Sequence, residues 1–245
     1  MNNIFSFERF LKVLKYDLKM RVPAIGVIFL VFLVIPHALH MIMDFNGTFR
    51  ESLRIEVIGV MLVWFLYFAP FSIYSSFREK HGIEAYLMIP ASVLEKFASM
   101  VSVCLVIVPV AFCLCSFLVD SLFTVILKNS YGGFISLPSV FKEYEAGRVL
   151  LVFFTLVGAS LLGNLLFRKR ASSKTVLALL LLTFLGGVLI IDNIVDFVFN
   201  DGYVDASVLE MKRVRLDEIY TMSVAAIGLL FYILAYWRLK KIQIS

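Results

Sequence analysis

Chemistry in this 245-residue chain has to come from a short set of ionisable and thiol residues set in long apolar runs: His37, His40, Asp44, Cys104, Cys113, Cys115, Asp120, Asp192 and Asp196. His37 and His40 are three residues apart and so share one helix face. Two histidines do not make a metal site, and Asp44 is the only further ligand nearby. The three cysteines all lie in one apolar run, without the pairing of a zinc site or a disulfide framework, and read as small buried apolar residues. Asp120 follows Phe97 by 23 residues, about 35 Å along a straight helix, which takes it to the outer interface. Asp192 lies about 26 Å beyond Thr175, and Asp196 lies further out. All three aspartates are therefore expected at solvated helix ends. That leaves no proton relay and argues against an ion-coupled carrier. The chain also lacks a G-x-x-x-x-G-K-[ST] phosphate loop, an H-E-x-x-H pair and a G-x-S-x-G elbow. The expectation is a non-enzyme with no cofactor, and any ATP hydrolysis would fall to another chain.

The elements around these residues follow from the apolar runs. Hydrophobic residues make up 61% of the chain and cluster in stretches of about twenty, enough to cross a hydrocarbon core. Lipid offers the backbone no hydrogen bonds, so each stretch has to be a helix. Runs such as Val176 to Leu185 do not alternate as a membrane β-strand would. The reading is an all-α integral membrane protein forming a single transmembrane domain. Six transmembrane helices are expected over residues 22–43, 55–77, 97–127, 149–167, 175–199 and 219–237. Pro36 and Pro109 should kink the first and third, and Asn164 should hydrogen-bond to another helix. Outside the spans, Val208 to Ile219 is expected to form a short helix at the outer surface.

Residues 1–21 precede the first span and are amphipathic. Ile4, Phe7, Leu11, Leu14 and Leu18 recur at three or four residues, while Glu8, Arg9, Lys12, Lys15 and Lys19 fall mainly elsewhere on the wheel. This is the pattern of an interfacial helix whose basic residues face anionic headgroups. Fifteen of the 23 Lys and Arg residues fall in the N-terminal segment, the second-to-third and fourth-to-fifth loops and the tail. The positive-inside rule makes that side cytoplasmic, with both termini inside. The net charge of +5 is then a topology signal and requires no nucleic-acid partner.

The loop between the second and third spans is the most informative stretch. Ile83, Tyr86 and Leu87 share one face of a short helix that Pro90 ends. Ser92 can cap the next helix, with Glu95 completing a capping box. The loop thus encodes a helix, a sharp stop and a new helix running into the third span.

Met88-Ile89-Pro90-Ala91-Ser92-Val93-Leu94-Glu95-Lys96-Phe97 resembles the L-P-A-S-x-x-E-K-F cytoplasmic loop of small bacterial ABC-2-like permease subunits. The basic amphipathic N-terminal helix and the six-span layout fit the same family. The resemblance implies a membrane-spanning exporter subunit in the bacterial cytoplasmic membrane, working with an ABC-type ATPase subunit and a second permease subunit. It implies a coupling role for the loop, carried by Gly82, Ile83, Glu84, Tyr86, Leu87, Pro90, Ser92, Glu95 and Lys96, with Ile83, Tyr86 and Leu87 as exposed anchors. One departure stands out. The family often has apolar re-entrant helices before the last span, and here that region holds Glu210, Lys212, Arg213, Arg215, Asp217 and Glu218. The rival reading is a non-transporting assembly or sensor protein whose loops dock a cytosolic partner.

Overall fold

The computed structural model describes residues 5–43, 50–127, 131, 133–135, 146–167, 169–184 and 206–244. Among them there are helices and no strand. Helix α1 spans Phe7–Met20. It stops at Arg21, and a 3-10 turn containing Pro23 leads into α2, Gly26–Met43, which holds Pro36 in its interior. Helix α3 is Glu51–Ile73, and a 3-10 turn, Ser75–Arg78, joins it to α4, Lys80–Leu87. Helix α5, Val93–Ser102, continues through a π turn, Val103–Ile107, into α6, Val108–Ile126. Pro109 sits in the first turn of α6, where a missing N–H costs least. Helices α7, Ala146–Leu166, α8, Ala171–Phe184, and α9, Ala206–Ile244, complete the bundle.

Among the described residues, five helical stretches are long and apolar enough to cross a membrane: Phe7–Leu39, Glu51–Ile73, Val93–Ile126, Val149–Leu166 and Tyr220–Gln243. The chain is accordingly a multi-pass α-helical membrane protein. Of the fifth expected span, only the part inside α8 is described; the rest, with Asp192 and Asp196, lies outside the described residues. The last span is longer than its apolar run. The separate short helix expected over Val208 to Ile219 is the start of α9, a continuous helix of 39 residues. No proline or glycine interrupts the chain from Ala206 to Ile227, and its Leu, Glu, Met, Lys and Arg residues are good helix formers. At ~1.5 Å per residue α9 is ~58 Å long, almost twice a ~30 Å hydrocarbon core.

The core sits where α2, α3 and α6 meet. Phe65 stacks on Phe112 with ring centroids 4.7 Å apart, and Phe29 meets both edge-on at 5.4 and 5.8 Å. Helices α7 and α9 pack closely because Gly158 gives room for Tyr232, whose ring would lie 2.8 Å from an added Cβ. The Tyr232 hydroxyl donates to the Phe154 carbonyl at 3.0 Å, and Thr155 donates to Val224 at 3.2 Å. Small residues and interhelical hydrogen bonds are what hold helices together where lipid supplies no hydrophobic drive. The expected interhelical bond of Asn164 is present: its Nδ2 donates to the Tyr74 carbonyl at 3.0 Å and to Pro70 at 3.3 Å, tying α7 to the end of α3. Val110, Leu114, Leu118, Leu122 and Ile126 form an outward stripe along α6 with more than half of each residue exposed. Lipid tails can cover such a stripe, which water would not tolerate.

Candidate functional site

The antiparallel helices bring α1, the end of α3, α4, the start of α5, the end of α7 and the end of α9 to one end of the bundle. Arg9, Arg21, Arg78, Lys96 and Lys241 belong to these elements, so this is the basic end. The 78–97 loop crosses it, and each of its singled-out residues can be placed.

Ser92 and Glu95 form the expected capping box on α5. The Ser92 hydroxyl accepts from the Glu95 N–H at 3.2 Å, and Glu95 Oε2 accepts from the Ser92 N–H at 2.8 Å. The other carboxylate oxygen reaches a different element. Glu95 Oε1 accepts from the Ser6 N–H at 2.7 Å and faces Arg9 Nη2 at 3.0 Å and Nε at 3.1 Å. Glu95 is fully buried, and these partners are what make that burial tolerable. Lys96 is also fully buried, and its ammonium donates to the Leu87 carbonyl at 2.8 Å. It thus closes the carboxyl end of α4, where the helix dipole favours a cation. Gly82 lets α4 approach the preceding 3-10 turn, because a Cβ at this position would run into the Ser76 carbonyl. Gly82→Ala should therefore destabilise the protein by about 1–3 kcal/mol, the usual cost of overpacking, read as a lower melting temperature in detergent.

The exposed-anchor expectation for the loop is overturned. Tyr86 is completely buried, and Ile83 and Leu87 are half-buried against the core. The apolar face of α4 finds its cover within the chain: the Tyr86 ring lies 5.0 Å from Phe77 and 6.5 Å from Tyr74. The outward face of the loop instead carries Glu84, Ala85, Met88 and Pro90, with Met88 82% exposed.

The reason Tyr86 turns inward is Asp17, a residue that periodicity alone does not single out. Asp17 is fully buried on α1. Its Oδ2 accepts from Ser99 Oγ at 2.6 Å, from the Tyr86 hydroxyl at 3.3 Å and from the Tyr74 hydroxyl at 3.4 Å. Its Oδ1 faces Arg21 Nε at 3.2 Å, one turn along. The Arg21 guanidinium lies over the rings of Tyr86 at 4.5 Å, Phe77 at 4.8 Å and Tyr74 at 5.4 Å, and donates to Ser76 Oγ at 3.1 Å. Burial pushes the Tyr86 phenol well above its usual range, and the Asp17 carboxylate pushes it the same way. The hydroxyl therefore stays protonated and can only donate to Asp17 or to the Lys96 carbonyl, 3.3 Å away. One carboxylate thus joins α1, the end of α3, α4 and α5. The available sequence signal is the i,i+4 pair Asp17 and Arg21, set beside the leucine row of α1.

A second buried cluster lies at the opposite end. Asp120 is not a solvated helix end: it is 1% exposed, and Arg54 Nε lies 3.3 Å from its Oδ1. Arg54, equally buried, donates to the Gly133 carbonyl and lies 4.9 Å over the Tyr131 ring. The Tyr131 hydroxyl and His37 Nδ1 are 2.9 Å apart, and His37 stacks on Phe123 at 4.4 Å. His37 is thereby placed against aromatic partners, and the described residues bring no group of three or more His, Cys, Asp or Glu together as a metal site. Helical depth alone cannot locate Asp120, because a counter-ion on the neighbouring α3 satisfies it without water.

Both clusters fix helices relative to one another. The basic-end cluster does more, since it makes α4 part of a rigid unit with α1 and α5. Comparison with protein-family models, with curated proteins and with solved structures finds no match to this chain.

Proposed function

We propose that this chain is the membrane-spanning permease subunit of an ATP-driven exporter, with six spans, both termini cytoplasmic, and a separate ATPase chain docked on residues 78–97. The observation that supports the reading is the clamping of α4. A push on α4 has little slack to take up, because Lys96 and, through Asp17, Tyr86 hold its last turn, and Gly82 seats its first turn on the turn after α3. Motion would pass directly into α5 and, through the π turn, into α6. A π turn beside a proline is a natural place for such a helix to bend. A second permease subunit would complete the path, and the pair would rock between inward- and outward-open states as the ATPase dimer closes.

The ATPase contact is assigned to Glu84, Met88, Pro90 and the exposed Leu94, with Ile83, Tyr86 and Leu87 backing it from inside. Met88→Glu should then weaken co-purification with a partner ATPase about 5- to 150-fold, as loss of an interface anchor does; an adjacent reading frame for a P-loop ATPase would favour the exporter, and its absence the rival. Tyr86→Phe keeps the ring and should leave binding near normal. Undiminished pull-down by both Met88→Glu and Leu94→Glu would remove the loop as the docking site. A partner that binds but never hydrolyses ATP faster with the permease present would favour the non-transporting rival.

A further inference from the structure

Helix α1 has an inward face, a basic face and, between them, an apolar row whose Leu14 and Leu18 also pack on the core. The inward face carries the buried Val13 and Asp17. A second face is apolar and outward: Phe7 is 64% and Leu11 45% exposed, with Leu14 and Leu18 half-buried along the same row. A third carries Lys12, Lys15 and Lys19, all exposed, with Lys12 paired to Glu8 at 2.6 Å. Exposed apolar residues resume just past the Pro23 turn, at Val27, Leu30 and Val31 of α2. The outward apolar face of α1 is thus followed at once by that of the first membrane-crossing helix, and a lysine row runs beside it. This combination fits a lipid surface with anionic headgroups. An acidic protein partner would meet the lysines and leave Phe7 and Leu11 unaccounted for.

We propose that α1 reports the charge of the membrane surface to α4. Anionic headgroups bind Lys12, Lys15 and Lys19 and press α1 into place. Asp17, on the inward face opposite the lysines, then holds Tyr86 of α4 and Ser99 of α5 in their bonded positions. On a surface without anionic lipid α1 is held less firmly, and α4 loosens with it. The consequence for export rests on the coupling role proposed above, but the linkage itself does not.

The test is hydrogen exchange on the full chain in lipid nanodiscs of phosphatidylcholine alone or with added phosphatidylglycerol. Each lysine near an anionic surface contributes about fivefold in binding, so the three together give roughly a hundredfold. Exchange over residues 7–20 should slow at least about tenfold with the anionic lipid, exchange over 80–87 should slow with it, and high salt should erase both effects. Lys12→Gln/Lys15→Gln/Lys19→Gln should abolish both responses. Tyr86→Phe should keep the α1 response and lose that of α4. Inorganic phosphate added to phosphatidylcholine discs should do nothing; if it reproduces the effect, the site takes a free anion and the lipid assignment fails. Equal exchange in the two discs, or an α1 response that α4 does not follow, overturns the proposal. No ATPase is needed for this readout, so a chain that responds to lipid but binds no ATPase would count against the exporter reading alone.

Discussion

Asp17→Ala is expected to lower the stability of the protein by about 3–5 kcal/mol, the range for removing one partner of a buried charged pair. The variant leaves Arg21 without its carboxylate in a site where only 8% of the residue is exposed. It also strands the Ser99 and Tyr74 hydroxyls that now converge on Asp17 Oδ2, and leaves the Tyr86 hydroxyl only the Lys96 carbonyl. Cation–π contacts from the three nearest rings retain part of Arg21's stabilisation, at about 0.5–2 kcal/mol each, so the lower half of the range is the better expectation. Asp17→Asn keeps an acceptor for the hydroxyls and should fall between wild type and alanine. Adding Arg21→Gln to Asp17→Asn should cost less than the two single changes summed, because groups in one network are not additive. The measurement is reversible unfolding in mixed micelles, with expression level as a control. An unchanged midpoint for Asp17→Ala would mean that the apolar contacts of α1 and the Glu95 contacts to Ser6 and Arg9 suffice to hold it.

Arg54→Ala should be similarly damaging, by about 3–5 kcal/mol, because it leaves the buried Asp120 without its counter-ion. The informative variant is the double one. Arg54→Leu with Asp120→Leu removes both charges together, and such replacements are often neutral or stabilising. The double variant should return to within about 1–2 kcal/mol of wild type. A solvated Asp120 would give another pattern, with both single changes near the ~0.5 kcal/mol of ordinary surface substitutions and no rescue. Arg54 also holds Gly133 and Tyr131, so proteolysis near residue 131 should accelerate in Arg54→Ala and stay accelerated in the double variant, which lacks the same contacts.

Much of this molecule is legible in order along the chain. Apolar runs of about twenty residues have to be helices in lipid, and that requirement acts on each run separately, without knowledge of its neighbours. The capping box at Ser92 and Glu95, the stop before Pro90, the boundary between residues 21 and 22 and the amphipathic character of α1 are also local, because each depends on residues within one or two turns. What only the tertiary structure decided is which polar groups meet. Asp17 lies 82 residues from Ser99 and 69 from Tyr86, and Arg54 reaches Gly133 across 79. Periodicity assigns Tyr86 to an apolar face but cannot say whether that face looks at a partner or at the chain's own core. The answer depended on a carboxylate from another helix, which gives the phenol a hydrogen bond that water would otherwise supply. Asp120 carries the same lesson from the other end. Its depth along α6 follows from counting residues, whereas its burial follows from Arg54 on α3, since a charge leaves water only where a fixed opposite charge takes water's place.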